Sequence, residues 1–234
     1  MPLPESGTGA NEMAYTFDFA AVLEYREVLV AGTLRTLALT ATGTLFGLSI
    51  GMLGAVSRAW RIAPYDRIFA VYVELIRNTP FLVQLFFIFF GLPSLGIKVN
   101  EWQAAILAMV INLGAYSTEI IRAGIEATPR GQIEAAQSLA MTRSQIFRKV
   151  VLPPALGKVW PSICSQVVIV MLGSSVCSQI AAEELTFAAN FIQSRNFRAF
   201  ETYFMVTAMY FVLALLVRQI MIRVGQLLIG RRRK

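Results

Sequence analysis

The chain has 234 residues, of which 56% are hydrophobic and only 15% charged, with a mean hydropathy of +0.60. A soluble domain carries about 25% charged residues and a disordered chain needs low hydrophobicity, so the composition excludes both and indicates a polytopic membrane protein. The net charge of +7 lies between and after the apolar runs, a pattern of membrane topology and not of nucleic-acid binding, so no nucleic-acid partner is expected.

Residues 1–27 are polar and acidic, with Glu5, Glu12, Asp18, Glu24 and Glu27 against Arg26 alone. No basic stretch precedes an apolar core there, so a cleavable signal peptide is not expected. A short interfacial helix is predicted over residues 14–25. The first apolar run, about Leu29–Val56, is broken only by Arg35, two turns inside, and is rich in Gly, Ala and Thr. A membrane helix needs about 20 apolar residues, and small residues allow close packing in lipid.

The second run, about Ile68–Leu92, is interrupted by Glu74, Arg77, Asn78, Thr79 and Pro80. Pro80 removes a backbone donor, which predicts a kink or break. The third run is about Trp102–Ile121. Ala123–Lys158 is then a long polar loop with two helical signals. Thr128-Pro129 predicts an N-cap followed by proline at the first helical position. Thr142-Arg-Ser-Gln145 predicts a capping box before Ile146, Phe147, Val150 and Val151, with Pro153-Pro154 ending that helix. The fourth run is about Trp160–Ala182, Glu183–Phe200 reads as a loop, and the fifth run is about Glu201–Val224.

The fold class that follows is all-α, with five transmembrane helices. Residues 1–27 form an outer N-terminal segment, 28–225 the transmembrane domain with its loop at about 123–158, and 226–234 a basic tail. Loops after spans one and three, with the C-terminal end, hold 15 of the 21 Lys and Arg residues. The other side holds Arg26, Lys98, Arg195 and Arg198, while Arg35 and Arg77 lie within spans. The positive-inside rule then predicts an outside N-terminus and a cytoplasmic C-terminus.

Catalytic signals are absent from the sequence. It holds no histidine to serve a Ser-His-Asp triad, and Cys164 and Cys177 alone make a His/Cys metal site unexpected. No G-x-x-x-x-G-K-[ST] loop occurs to cradle a nucleotide phosphate. A path or a coupler is expected, not a catalyst.

The informative loop segment reads Glu134-Ala135-Ala136-Gln-Ser-Leu-Ala140, then nine residues, then Val150-Val-Leu152-Pro153. Small residues at 135, 136 and 140 permit close approach by another protein, and Glu134 offers a polar anchor. The bland reading is an ordinary amphipathic loop helix. The segment resembles the EAA loop of permease subunits of bacterial binding-protein-dependent ABC importers, E-A-A-x3-G-x9-I-x-L-P, with Ala140 for the glycine and Val150 for the isoleucine. Arg77-Asn-Thr-Pro80-Phe-Leu-Val-Gln84 and Ala115-Tyr116-Ser-Thr-Glu119-Ile-Ile-Arg122 look like the polar amino acid uptake branch of that family, the His/Glu/Gln/Arg/opine type.

The resemblance covers about residues 28–225 and implies a type I importer permease in the bacterial inner membrane. It also implies the partners. These are an ABC ATPase that binds ATP and Mg and docks on Glu134, Ala135, Ala136, Ala140, Leu152 and Pro153, a periplasmic amino-acid-binding protein, and a second permease. No cofactor is expected in this chain. Relatives often carry Lys-Asp/Asn-Thr-Ser-Leu in the fourth span, where this chain has Leu172-Gly173-Ser174-Ser175-Val176. The missing ionisable pair tilts the expectation towards a heterodimer, a homodimer remaining open.

Candidates for the substrate path are Arg77, Asn112, Ser117, Glu119, Ser174 and Ser175. Each has a structural alternative: Glu74–Arg77 and Glu119–Arg122 are i,i+3 neighbours able to pair, and the amide and hydroxyls can join helices. A stand-alone channel or secondary transporter is the alternative function, which would leave the docking loop without a use. A membrane scaffold would leave Arg77 unexplained.

Overall fold

The computed structural model describes residues 16–230, with the side chains of residues 229 and 230 excepted. The expectations for residues 1–15 and for the tail Arg231–Lys234 lie outside the described residues. All regular structure among the described residues is helical.

The interfacial helix expected over 14–25 shortens to one turn, α1 (Ala20–Leu23), started by Asp18, whose Oδ1 accepts from the Ala20 and Ala21 amides at 3.0 and 3.2 Å. The first span, α2 (Arg26–Ala59), buries one stripe of small residues, including Gly32, Thr36, Thr40, Gly43, Gly47, Gly51 and Gly54. From Gly43 onward that stripe lies on α5 (Glu101–Glu126), the third span, while Gly32 and Thr36 meet residues 184–188. A methyl group on Gly47 would stand 2.9 Å from Leu113 Cβ, and one on Gly51 would collide with Ser117 Cβ. Thr40 returns its hydroxyl to the Thr36 carbonyl at 2.8 Å, so the stripe stays small without exposing a polar donor to lipid. Close backbone approach of this kind is how helices associate where no hydrophobic drive acts between them. Arg35 does not stand alone in the span. It pairs with Glu183.

The second span is broken. α3 (Tyr65–Arg77) and α4 (Phe81–Ser94) meet at 109°. The expected kink at Pro80 is thus a full break, stabilised by Gln84. Its amide nitrogen lies 2.8 Å from the Ile76 carbonyl and 3.0 Å from that of Thr79, supplying donors to carbonyls that the break leaves bare. Asn112 of α5 holds the Gln84 oxygen at 3.1 Å.

The loop after α5 carries α6 (Arg130–Ser138) and α7 (Arg143–Ile146). Pro129 itself is the N-cap of α6, with ψ 133°, so this helix starts one residue later than predicted and Thr128 makes no cap bond. The capping box at Thr142 and Gln145 forms in both directions. The prolines do not end the second helix. α7 runs through a π-helical stretch, Phe147–Val151, into α8 (Leu152–Gly173), which has proline in its first turn. Missing donors at Pro153 and Pro154 fall where an α-helix start needs none, and the Leu152 amide reaches back five residues to the Phe147 carbonyl. The fourth span is continuous from Arg143 to Ile180, ending in a 3₁₀ stretch, Ser174–Ile180.

Glu183–Phe200 is not a plain loop. It contains α9 (Leu185–Asn196), capped by Glu184, whose Oε1 accepts from the Phe187 amide at 2.8 Å. α9 buries Leu185, Ala188, Ala189 and Ile192, the i, i+3, i+4, i+7 set of one helix face. α10 (Ala199–Gly230) is the last span. Four helices of the described residues are long and apolar enough to cross a membrane, and the broken α3–α4 pair, taken as one span, is the fifth. The five-span, all-α expectation holds.

Candidate coupling surface and translocation path

The loop between spans three and four presents one projecting face. Along α6 only Ala136 is buried, at 4% exposure, packing into the cluster that includes Ile146 and Val151. Glu134, Ala135 and Ala140 are exposed, and Leu139 is 77% exposed. Ala140 has φ +53°. Its amide donates to the Gln137 carbonyl at 2.9 Å and that of Met141 to the Ala136 carbonyl at 3.2 Å. These two bonds close the helix in a Schellman turn, whose left-handed position favours glycine. Leu152 and Pro153 are half-buried at the start of α8, apart from the exposed face of α6. Trp60, just past α2, packs edge-on against Phe147 at 4.8 Å, which ties the loop to the first span.

The path candidates separate into different environments. Glu119 is engaged by Arg58 of α2 and by Arg122, whose Nη2 stands 2.7 Å away, and Arg122 also holds Glu126 at 2.7 Å. The i,i+3 pairing expected at Glu119 forms, enlarged into a cluster joining α2 to α5. Ser117 is buried against Gly51, and its hydroxyl has no partner. Ser174 and Ser175 return their hydroxyls to the Met171 and Leu172 carbonyls, both at 2.7 Å. Asn112 supports the helix break through Gln84.

Arg77 stands apart. The expected pair with Glu74 does not form, and the guanidinium carbon lies 5.4 Å from the centre of the Tyr116 ring. Three residues with roles here escaped sequence reasoning. Gln84 had a readable signal, a lone amide in an apolar helix four residues after proline. Tyr116 and Arg58 had none, because their partners are distant in sequence.

The arrangement is that of a bundle of membrane-length helices from which one exposed loop helix projects. Residues 43–228 match the family described as the binding-protein-dependent transport system inner membrane component, and the chain belongs to that family. The L-cystine transport system permease protein TcyB of Bacillus subtilis is 36% identical over 169 residues, 72% of each chain. The glutamine transport system permease protein GlnP of Escherichia coli K12 is 32% identical over 209 residues, covering 88% of this chain and 95% of the relative. Among solved structures, an amino acid ABC transporter crystallised with histidines superposes with a TM-score of 0.82 at 35% identity, covering 93% of this chain and all of that one. An inward-facing MetNI methionine ABC transporter, at TM-score 0.71 and 24% identity, shares the fold. The chain is a translocation subunit of an ABC importer with the type I permease fold.

Proposed function

We infer that this chain is the permease subunit of an ATP-driven importer of a polar amino acid. The observation that carries the reading is the exposed α6, with Glu134, Ala135 and Leu139 on its free face, joined through the tight turn at Ala140 to the helix that runs on as the fourth span. A separate ATPase binds ATP and Mg and docks on this face, with Ala136, Ala140, Leu152 and Pro153 shaping and anchoring it. Closure of the ATPase pair pulls on α6, and the spans alternate the cavity between two faces, a two-state change biased by nucleotide. A periplasmic binding protein delivers the amino acid. The names of the relatives support this substrate class, and the basic asymmetry of the loops supports a periplasmic N-terminus and cytoplasmic C-terminus.

The working unit pairs this chain with a second, non-identical permease, a reading supported by the apolar Leu172-Gly173 pair in the fourth span. The test is co-expression with the cognate ATPase, binding protein and second permease. Proteoliposomes loaded with ATP should take up one of L-glutamine, L-histidine, L-arginine or L-cystine only when the binding protein is present. Glu134→Lys reverses the charge at the proposed interface, where a like-charge contact costs several kcal/mol. It should release the ATPase from the purified complex while the permease still inserts. Retention of the ATPase with normal uptake would remove the coupling role.

A further inference from the structure

We propose that Arg77, at the break between α3 and α4, receives the carboxylate of the transported amino acid, an assignment that rests on the importer reading above. Depth is the first ground. Arg77 lies against Tyr116, ten residues before the Glu126 end of α5 and fifteen after its Glu101 start. The start of α5 is about 22 Å away at 1.5 Å per residue, and its nearest charge, Glu119, comes three residues past Tyr116, so Arg77 sits inside a hydrocarbon layer about 30 Å thick, roughly one turn from the charged edge.

The backbone is the second ground. Irregular backbone at membrane depth persists only where protein covers it or water fills a cavity beside it. Arg77, Asn78, Thr79 and Pro80 are all exposed in the single chain. This face therefore looks onto a second subunit or a water-filled path, not onto lipid.

Charge is the third ground. Among the described residues no carboxylate pairs with Arg77: Glu74, one turn back, forms no ion pair with it, while Arg58 and Arg122 hold Glu119, and Arg122 also holds Glu126. The fourth span brings no competing charge, since Leu172, 42% exposed, and Gly173 stand just before the 3₁₀ stretch that packs on α4. An intramembrane cation without a partner is costly and marks a ligand path. Tyr116 holds the face of the guanidinium, which leaves its N–H edge for the two oxygens of a carboxylate. Among the described residues Arg218 also lacks a carboxylate partner, but it lies on the unbroken α10, towards the end that carries Arg223, where a long side chain snorkels to the surface.

The test uses the complete transporter and the amino acid it takes up best, compared with the same molecule lacking the carboxylate: histamine for histidine, 4-aminobutanamide for glutamine. Binding to the solubilised complex, without the binding protein, should favour the amino acid over the amine. Arg77→Gln should remove that preference and lower uptake about tenfold to a hundredfold, the worth of a charged hydrogen-bonded contact. Arg77→Lys should recover part of both, and stimulation of ATP hydrolysis by the binding protein should persist in each variant.

Asn78→Cys, with Arg77 intact, supplies a measurement independent of whether those variants assemble. The amino acid should slow its labelling by a methanethiosulfonate, and the amine should not. Unchanged preference in Arg77→Gln, or equal protection of Cys by both molecules, would overturn the proposal. A wild-type complex that transports no amino acid would instead overturn the importer reading.

Discussion

Ala140 occupies a backbone position with φ +53° that its side chain disfavours. An L-residue there costs roughly 1–2 kcal/mol, and Ala140→Gly relieves it while loosening the unfolded chain by about 0.4–1 kcal/mol. Ala140→Gly should therefore stabilise the protein by roughly 0.5–1 kcal/mol, read as a higher unfolding temperature of the purified complex, with ATPase association retained. The motif in the sequence pointed to this position, because its relatives place glycine there, but the turn geometry that explains the preference was not readable. Glu119 teaches the reverse. Its partner Arg122 was readable from spacing, whereas Arg58 arrives from another helix and no local pattern reveals it.

At the scale of the element, α2 and α5 are joined by the absence of side chains. Gly51→Leu places atoms where Ser117 already stands. It should destabilise the chain by about 3 kcal/mol or more, at the upper end of overpacking costs, and lower the yield of folded protein on size exclusion. Gly173 is the control, since nothing stands within 4 Å of a methyl group there, and Gly173→Ala should elute as wild type. The small-residue stripe of α2 was legible in the sequence because packing in lipid selects composition. Pro153-Pro154 misled, because the helix shifts to π-helical bonding over Phe147–Val151 just before them and continues, with the missing donors in the first turn of α8. α9 was also missed: its twelve residues are too short for a span, although Leu185, Ala188, Ala189 and Ile192 already marked one face.

For the whole molecule, apolar run length located all five spans, but the 109° turn within the second depends on Gln84 and Asn112 meeting across two spans. Orientation is tested by single cysteines at Gly96, in the open turn after α4, and Ser138, exposed on α6. In intact cells an impermeant maleimide should label position 96 and spare 138, and the opposite result would reverse the topology. The second permease is tested by omission. This chain with its ATPase and binding protein alone should give no binding-protein-dependent uptake in vesicles, and full uptake would establish a homodimer.

The unbroken helix from Arg143 to Ile180 has a mechanical consequence. Its 38 residues form a rod of roughly 57 Å, with one end beside α6 and the other packed on α4 and α5. A stiff rod pivoting near its middle works as a lever: a tilt of about 10° carries its far end through roughly 5 Å. That is comparable to the width of an amino acid side chain. A displacement applied at the α6 end is thus carried along one continuous helix, past the π-helical stretch Phe147–Val151 and Pro161, to the 3₁₀ stretch beside the broken span.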